Sequence, residues 1–118
     1  MERVGGQLRQ LDRKIAVLAE HCRAIGRDFA SIELSLQDLV VIAPTDAALR
    51  APLEDARTRF AFFGNVDEIA TIGTPDRCIE TIRRKVAQGI TYFICLFTDG
   101  GQPDTVRLFG ERVIPAFR

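Results

Sequence analysis

The stretch IGTPDRCIETIRRKVAQGITYFICLF, from Ile72 to Phe97, decides the fold. Thr74 is a residue type that caps helices, Pro75 suits the first helical position, and Asp76 places an acid in the first turn, where it meets the positive end of the helix dipole. A helix is expected to start there. Cys78, Ile79, Ile82 and Val86 supply its apolar stripe, and Arg83, Arg84 and Lys85 complement the negative end of its dipole. Gly89 supplies the stop. Ile90 to Phe97 then reads as a short buried strand, rich in β-branched and aromatic residues.

Outward from this unit the pattern repeats. Downstream, Thr98-Asp99-Gly100-Gly101-Gln102 is a loop, and Pro103-Asp104 opens a last helix carrying Val106, Leu108, Phe109, Val113 and Ile114. Upstream, Leu8, Leu11, Ile15, Leu18, Cys22 and Ile25 recur at steps of three and four, the spacing of one helix stripe, and Gly26 follows as a stop. From Ser31 to Gln37 the period changes to two, with Ile32, Leu34 and Leu36 on one side. Leu39 to Ala43 is apolar throughout, as in a strand covered on both faces, until Pro44-Thr45-Asp46 breaks it. Ser31 to Ala43 is long for a single strand, so a bend or register change near Asp38 is expected. Thr45 or Asp46 can cap a further helix through Leu49, Leu53 and Ala56, which Pro52 weakens. Phe60, Phe62 and Phe63 form an aromatic cluster suited to core or interface packing; base stacking would call for more basic neighbours.

The order helix, strand, helix, helix, strand, helix implies parallel strands joined by crossovers. Two strands alone would leave both sheet edges unpaired, so the expectation is a single incomplete α/β domain over residues 1–118. A small flavodoxin-like domain would need more strands than this pattern supplies.

Composition narrows the function. Lys plus Arg and Asp plus Glu number 16 each, so net charge is zero and no nucleic-acid or anionic-membrane footprint exists. No apolar run approaches the ~20 residues of a bilayer span, and Met1-Glu2-Arg3-Val4-Gly5-Gly6 lacks the apolar stretch of a leader; a cytoplasmic protein is expected. Cys22, Cys78 and Cys95 are widely spaced without a CxxC, which suggests reduced, buried thiols and neither disulfides nor a metal site. His21 and Cys22 are adjacent on one helix and diverge by ~100°, so they do not form a nucleophile pair. No hydrolase triad, paired-carboxylate motif, dinucleotide fingerprint or phosphate loop is present, and no catalytic residue can be named.

The phrases His21-Cys22-Arg23-Ala24-Ile25-Gly26-Arg27-Asp28, Ile32-Glu33-Leu34-Ser35-Leu36, Ile72-Gly73-Thr74-Pro75-Asp76, Gln88-Gly89-Ile90-Thr91-Tyr92-Phe93-Ile94 and Val113-Ile114-Pro115-Ala116-Phe117 together resemble the late part of luciferase-like monooxygenases. The resemblance implies the last strands and helices of a partial (β/α)8 TIM-type barrel, with parallel strands and flanking helices. It implies an oxidoreductase that uses FMN or a deazaflavin on a small-molecule substrate. The early strands that carry most of the family's cofactor cradle have no counterpart here, and Phe29 stands where the family usually has proline. The chain alone is therefore expected to be inactive, and to associate either with the missing barrel segment or with further copies of itself.

In a barrel of this kind, ligands lie at the C-terminal ends of the strands. On that logic Gln37 and Asp38, after the first strand, would face substrate. Thr98 and Asp99 after the second, with Gly73 and Thr74 at a helix N-terminus, would face the cofactor and its phosphate. The competing reading makes Asp99-Gly100-Gly101 a turn, Thr74 a cap and Cys78 an inert buried thiol, with Asp76 repelling an anion.

Overall fold

The computed structural model describes the backbone of residues 2–118 and the side chains of residues 10–118; Leu8, assigned to the first apolar stripe, lies outside the described side chains. Helix α1 (Glu2–Ile25) is longer than its stripe predicts. Leu11, Ile15 and Leu18 are half-buried and Cys22 is buried. Ile25, expected on the same stripe, is 78% exposed. Gly26, at φ +78°, reverses the chain directly after it, and the Arg27 N–H closes the helix end on the Cys22 carbonyl at 2.8 Å.

Ser31 does not enter the first strand. It ends a short 3₁₀ turn, Phe29–Ser31, whose N-cap Asp28 accepts from the Ala30 N–H at 3.1 Å. Strand β1 (Leu34–Ile42) follows without a bend or register change at Asp38, which sits in regular register with Cys95; the register shift against the last strand lies between Leu34 and Ser35. Helix α2 (Asp46–Arg59) is capped by the Thr45 hydroxyl, which accepts from the Ala48 N–H at 3.1 Å, and it runs through Pro52. The Ala61–Phe63 turn and the short helix α3 (Val66–Ile69) lead to strand β2 (Thr71–Gly73), which the sequence pattern does not reveal. Helix α4 (Pro75–Ala87), strand β3 (Ile90–Phe97) and helix α5 (Pro103–Arg112) complete the elements, with a 3₁₀ turn at Ile114–Phe117.

The three strands form one parallel sheet in the order β2-β1-β3. Central β1 carries the core. Leu39, Val41 and Ala43 pack on one face with Leu49 and Ala56 of α2 and with Val66. Val40 and Ile42 pack on the other with Cys78 and Ile82 of α4 and Phe109 of α5. Leu39, Val40, Val41 and Ile42 of β1, and Ala43 just after it, are each at most 6% exposed, and burying a Leu, Val or Ile side chain this fully stabilises by about 1.5–3 kcal/mol. The double coverage accounts for the uninterrupted apolar run.

The parallel α/β class is as expected, and the detail differs. A barrel segment sets consecutive strands side by side with its helices outside, whereas helices on both faces belong to doubly wound open sheets. Here β1, α4 and β3 alone follow the barrel pattern. Strand β2 pairs with the other edge of β1, and α2 and α3 lie on the face opposite α4.

Strand β3 is not buried throughout. Phe93, Cys95 and Phe97 pack on the α4/α5 face. On the other face Tyr92, Ile94 and Leu96 are 55%, 51% and 37% exposed, because α2 and α3 cover only the β2 side and the C-terminal half of β1. Among the described residues no helix is long and apolar enough to cross a membrane.

Candidate functional site

The residues expected to gather at one ligand face divide into three places. The first is the C-terminal rim of the sheet, where the chain leaves β1 after Ile42 and β3 after Phe97. Ile42, Ala43, Pro44, Asp99, Asp104 and Thr105 help to line a hollow of about 310 Å³ there. Thr98 lies beneath it and is buried; its N–H donates to the Val40 carbonyl at 3.2 Å, and its own carbonyl accepts from Arg59 Nη1 at 3.2 Å. Asp99 acts as a turn residue. Its Oδ1 accepts from the N–H groups of Gly101 and Gln102 at 3.0 and 3.3 Å, and its Oδ2 accepts from the Thr105 hydroxyl at 2.6 Å. With both oxygens accepting, Asp99 offers a phosphate no donor.

Gly73 and Thr74 also reach the rim, at the end of β2. Thr74 occupies the cap position as expected, with no side-chain cap hydrogen bond; its carbonyl accepts from the Cys78 N–H at 3.0 Å. Gly73 is required by its backbone, at φ +144°, and a Cβ there would come within 2.7 Å of the Arg77 Cβ. Pro75 supplies no N–H to this helix end and Asp76 sits in its first turn, so an anion finds a poor cradle. Gly73, Thr74, Thr98 and Asp99 do not by themselves fit an FMN or deazaflavin phosphate.

The second place is the uncovered face. Gln37 is not after β1 but in its middle, in register with Ile94. It lines a hollow of about 180 Å³ with Leu39, Phe63, Ile69 and Leu96. Phe63 leads on to Phe62, their ring centroids 4.6 Å apart, and Phe62 is 77% exposed. Of the aromatic cluster, Phe60 packs against the core and the other two face outward.

The third place holds Asp38, which does not face substrate. Alternation turns it away from Gln37, beneath α4, where it is 1% exposed. Its Oδ2 accepts from the Thr71 hydroxyl at 2.6 Å, and its Oδ1 accepts from Lys85 Nζ at 2.9 Å. Lys85 Nζ also donates to Thr71 Oγ1 at 3.0 Å, closing a ring of three side chains from β1, β2 and α4. Both members of the ion pair have fully buried side chains. Lys85 therefore neutralises Asp38 inside the core and does not serve the helix dipole at the surface.

Burial favours the neutral form of the two thiols near this ring. Burial pushes the Cys78 thiol up to about 12 and the Cys95 thiol up to about 11; the Asp38 carboxylate adds to both shifts and Lys85 opposes them. Desolvation outweighs whatever thiolate stabilisation the first turn of α4 gives Cys78. His21 is exposed beside buried Cys22. Among the described residues no group of His, Cys, Asp and Glu could hold a metal ion.

Lys85 and Thr71 are the residues that sequence reasoning missed; two signals could have found the pairing of Lys85 with Asp38, and none marks Thr71. Lys85 falls three residues after Ile82 and seven after Cys78, on the buried stripe of α4. Asp38 is the one charge inside a strand otherwise apolar from Leu39 to Ala43. An acid and a base each placed on a buried face are strong candidates to be partners.

These elements define a parallel α/β unit with one buried ionic ring and one uncovered sheet face. Neither a protein-family model nor a curated protein matches the chain.

Proposed function

We propose that this chain is a C-terminal segment of a luciferase-like, flavin- or deazaflavin-dependent oxidoreductase of the cytoplasm, inactive by itself and completed by the remainder of a (β/α)8 barrel. In this reading β1 and β3 are consecutive barrel strands, α4 is the helix between them on the outer side, and α2, α3 and β2 belong to the excursion that joins them. The carrying observation is the unclosed sheet: Tyr92, Ile94 and Leu96 present an apolar face that the described elements leave 37–55% exposed, on a strand that among the described residues pairs with β1 alone. In a closed barrel the edge of β3 would be paired, and the part of that face which α2 and α3 leave open would look inward. The cofactor cradle and the reacting groups would come from the remainder, because the rim residues here do not fit the cofactor's phosphate. When bound, FMN or deazaflavin would supply the redox chemistry. The role of this chain would be to wall the substrate with Gln37, Ile94 and Leu96.

Coexpression with the first six βα units of a luciferase-like flavoprotein tests this reading. The expected result is a co-purifying complex that binds FMN or a deazaflavin, while the chain alone binds neither and turns over no substrate. Tight binding of reduced flavin by the monomeric 118-residue chain would refute it.

The outward-facing Phe62 and Phe63 favour a second reading, a non-enzymatic assembly module in which copies of the chain cover each other's open face. Sedimentation separates the two. A discrete cofactor-free dimer supports the module, and a monomeric, partly molten or aggregating chain supports the barrel segment.

A further inference from the structure

Strand β2 has only three residues, and its pairing with β1 is limited to Val40 with Thr71, Val41 with Ile72 and Ile42 with Gly73. Backbone hydrogen bonds would form equally well in a shifted register, so so short a ladder does not choose its own alignment. A shift of one residue turns Thr71 to the opposite face of the sheet. A shift of two sets Ile69 or Gly73 against Val40. From Val66 to Gly73 the only hydroxyl is that of Thr71, the only group there that can donate to Asp38 while accepting from Lys85.

Lys85 imposes a second restriction. It is the eleventh residue of α4, and its side chain has no solvent exposure. Sliding α4 by one turn, ~5.4 Å, would carry its ammonium away from Asp38 with no water to replace the contact. The alignment of β2 and the height of α4 are thus fixed against a single carboxylate in the central strand. Between these elements lies Gly73-Thr74-Pro75, the part of the chain that reaches the rim.

We infer that the Asp38–Thr71–Lys85 ring is a register lock: it selects one alignment of β2 and α4 on β1, and so positions Gly73 and Thr74 at the rim. Cohesion is not its distinctive contribution, since buried ion pairs can often be replaced by apolar residues of similar volume without loss of stability. What an apolar replacement supplies less sharply is discrimination between registers, since β2 would then be held by the packing of Ala70 and Ile72 on the α2/α3 core alone. These three are positioning residues.

The experiment compares the chain with the triple variant Asp38→Leu, Thr71→Val, Lys85→Met by urea unfolding and amide hydrogen exchange. The expected result is an unfolding midpoint retained or raised, with exchange at Ile72, Gly73 and Ala43 accelerated ~100-fold or more. Ala43 reports because its N–H donates to the Gly73 carbonyl. Residues 71–75 should give more than one set of resonances while β3 keeps its protection. A single set of resonances with unchanged protection in β2 overturns the lock. So does a triple variant that cannot fold, since the ring would then be a stability element. Thr71→Val alone, which leaves the ion pair intact, should loosen β2 in the same assay without disturbing α4, and Thr71→Ser should restore its protection; equal behaviour of the Val and Ser variants also overturns the proposal.

Discussion

Replacing Lys85 with methionine keeps the length of the side chain and removes its charge, leaving the Asp38 carboxylate in a site 1% exposed without its cationic donor. The Thr71 hydroxyl still donates to Oδ2, so one hydrogen bond survives. Breaking a buried pair in this way costs about 3–5 kcal/mol, mainly because the remaining charge is uncompensated. A 118-residue domain has roughly 6–18 kcal/mol in total at 0.05–0.15 kcal/mol per residue, so the loss takes between about a sixth and most of the stability. With a urea slope of about 2 kcal/mol/M, a loss of about 4 kcal/mol lowers the midpoint by about 2 M.

The control is charge removal at the other end. Asp38→Asn added to Lys85→Met abolishes the stranded carboxylate, and the double variant should regain about 2 kcal/mol relative to Lys85→Met, a coupling that distant independent sites do not show. The assay is urea unfolding followed by far-ultraviolet circular dichroism. If Lys85→Met shifts the stability by less than about 1 kcal/mol, or if the two substitutions add, then the buried pair does not hold the core in the way its geometry requires.

Other perturbations test other parts of the molecule. Burial holds Cys78 near 12, above the 9.0 of an ordinary thiol, so its neutral form favours folding: that stability is complete below about pH 9 and is lost as pH rises through 12. The loss over the window is up to about 4 kcal/mol at 1.36 kcal/mol per unit, and Cys78→Ala should flatten the pH dependence of the unfolding midpoint across it. Gly73→Ala brings its Cβ within 2.7 Å of the Arg77 Cβ at φ +144° and should lower stability by on the order of 1–3 kcal/mol in the same unfolding assay; a neutral effect would show that the strain is not there. Ile94→Lys puts a charge on the uncovered face and should change stability by no more than about 0.5 kcal/mol while abolishing self-association in sedimentation; association that persists unchanged would place the contact elsewhere.

What the sequence revealed was what repeats along the chain. The periods of three to four in α1 and α4, and the Thr74-Pro75-Asp76 helix start, announce themselves because each is local. Strand β2 stayed hidden because three residues are too few for any period, and its pairing with β1 is set by side chains more than thirty positions away. Lys85 was misread for the same reason. Next to Arg83 and Arg84 it looks like one of a basic group at a helix end, and only its angular position on α4 separates it from them. The alternation that stops at Gln37, with a bend or register change expected at Asp38, puts these two residues at a strand end in the sequence. In the folded chain the apolar run after them is the covered half of the same strand.

The alternation that sends Gln37 and Asp38 to opposite faces also separates the two activities proposed for this sheet. Asp38, Thr71 and Lys85 lie beneath α4, and they fix the rim from the helix side. Gln37, Ile94 and Leu96 lie on the other surface, where a further polypeptide would close over them. No described hydrogen bond links the two sets, and the backbone of β1 lies between them. Substitutions in the ring and on the open face should therefore act additively on stability, within about 0.5 kcal/mol, as expected for sites that share no partner. Only the open-face set should alter association. Coupling between Lys85→Met and Ile94→Lys larger than that would mean that β1 shifts as a unit when the ring is broken, and the uncovered face could then not be treated as a surface independent of the lock.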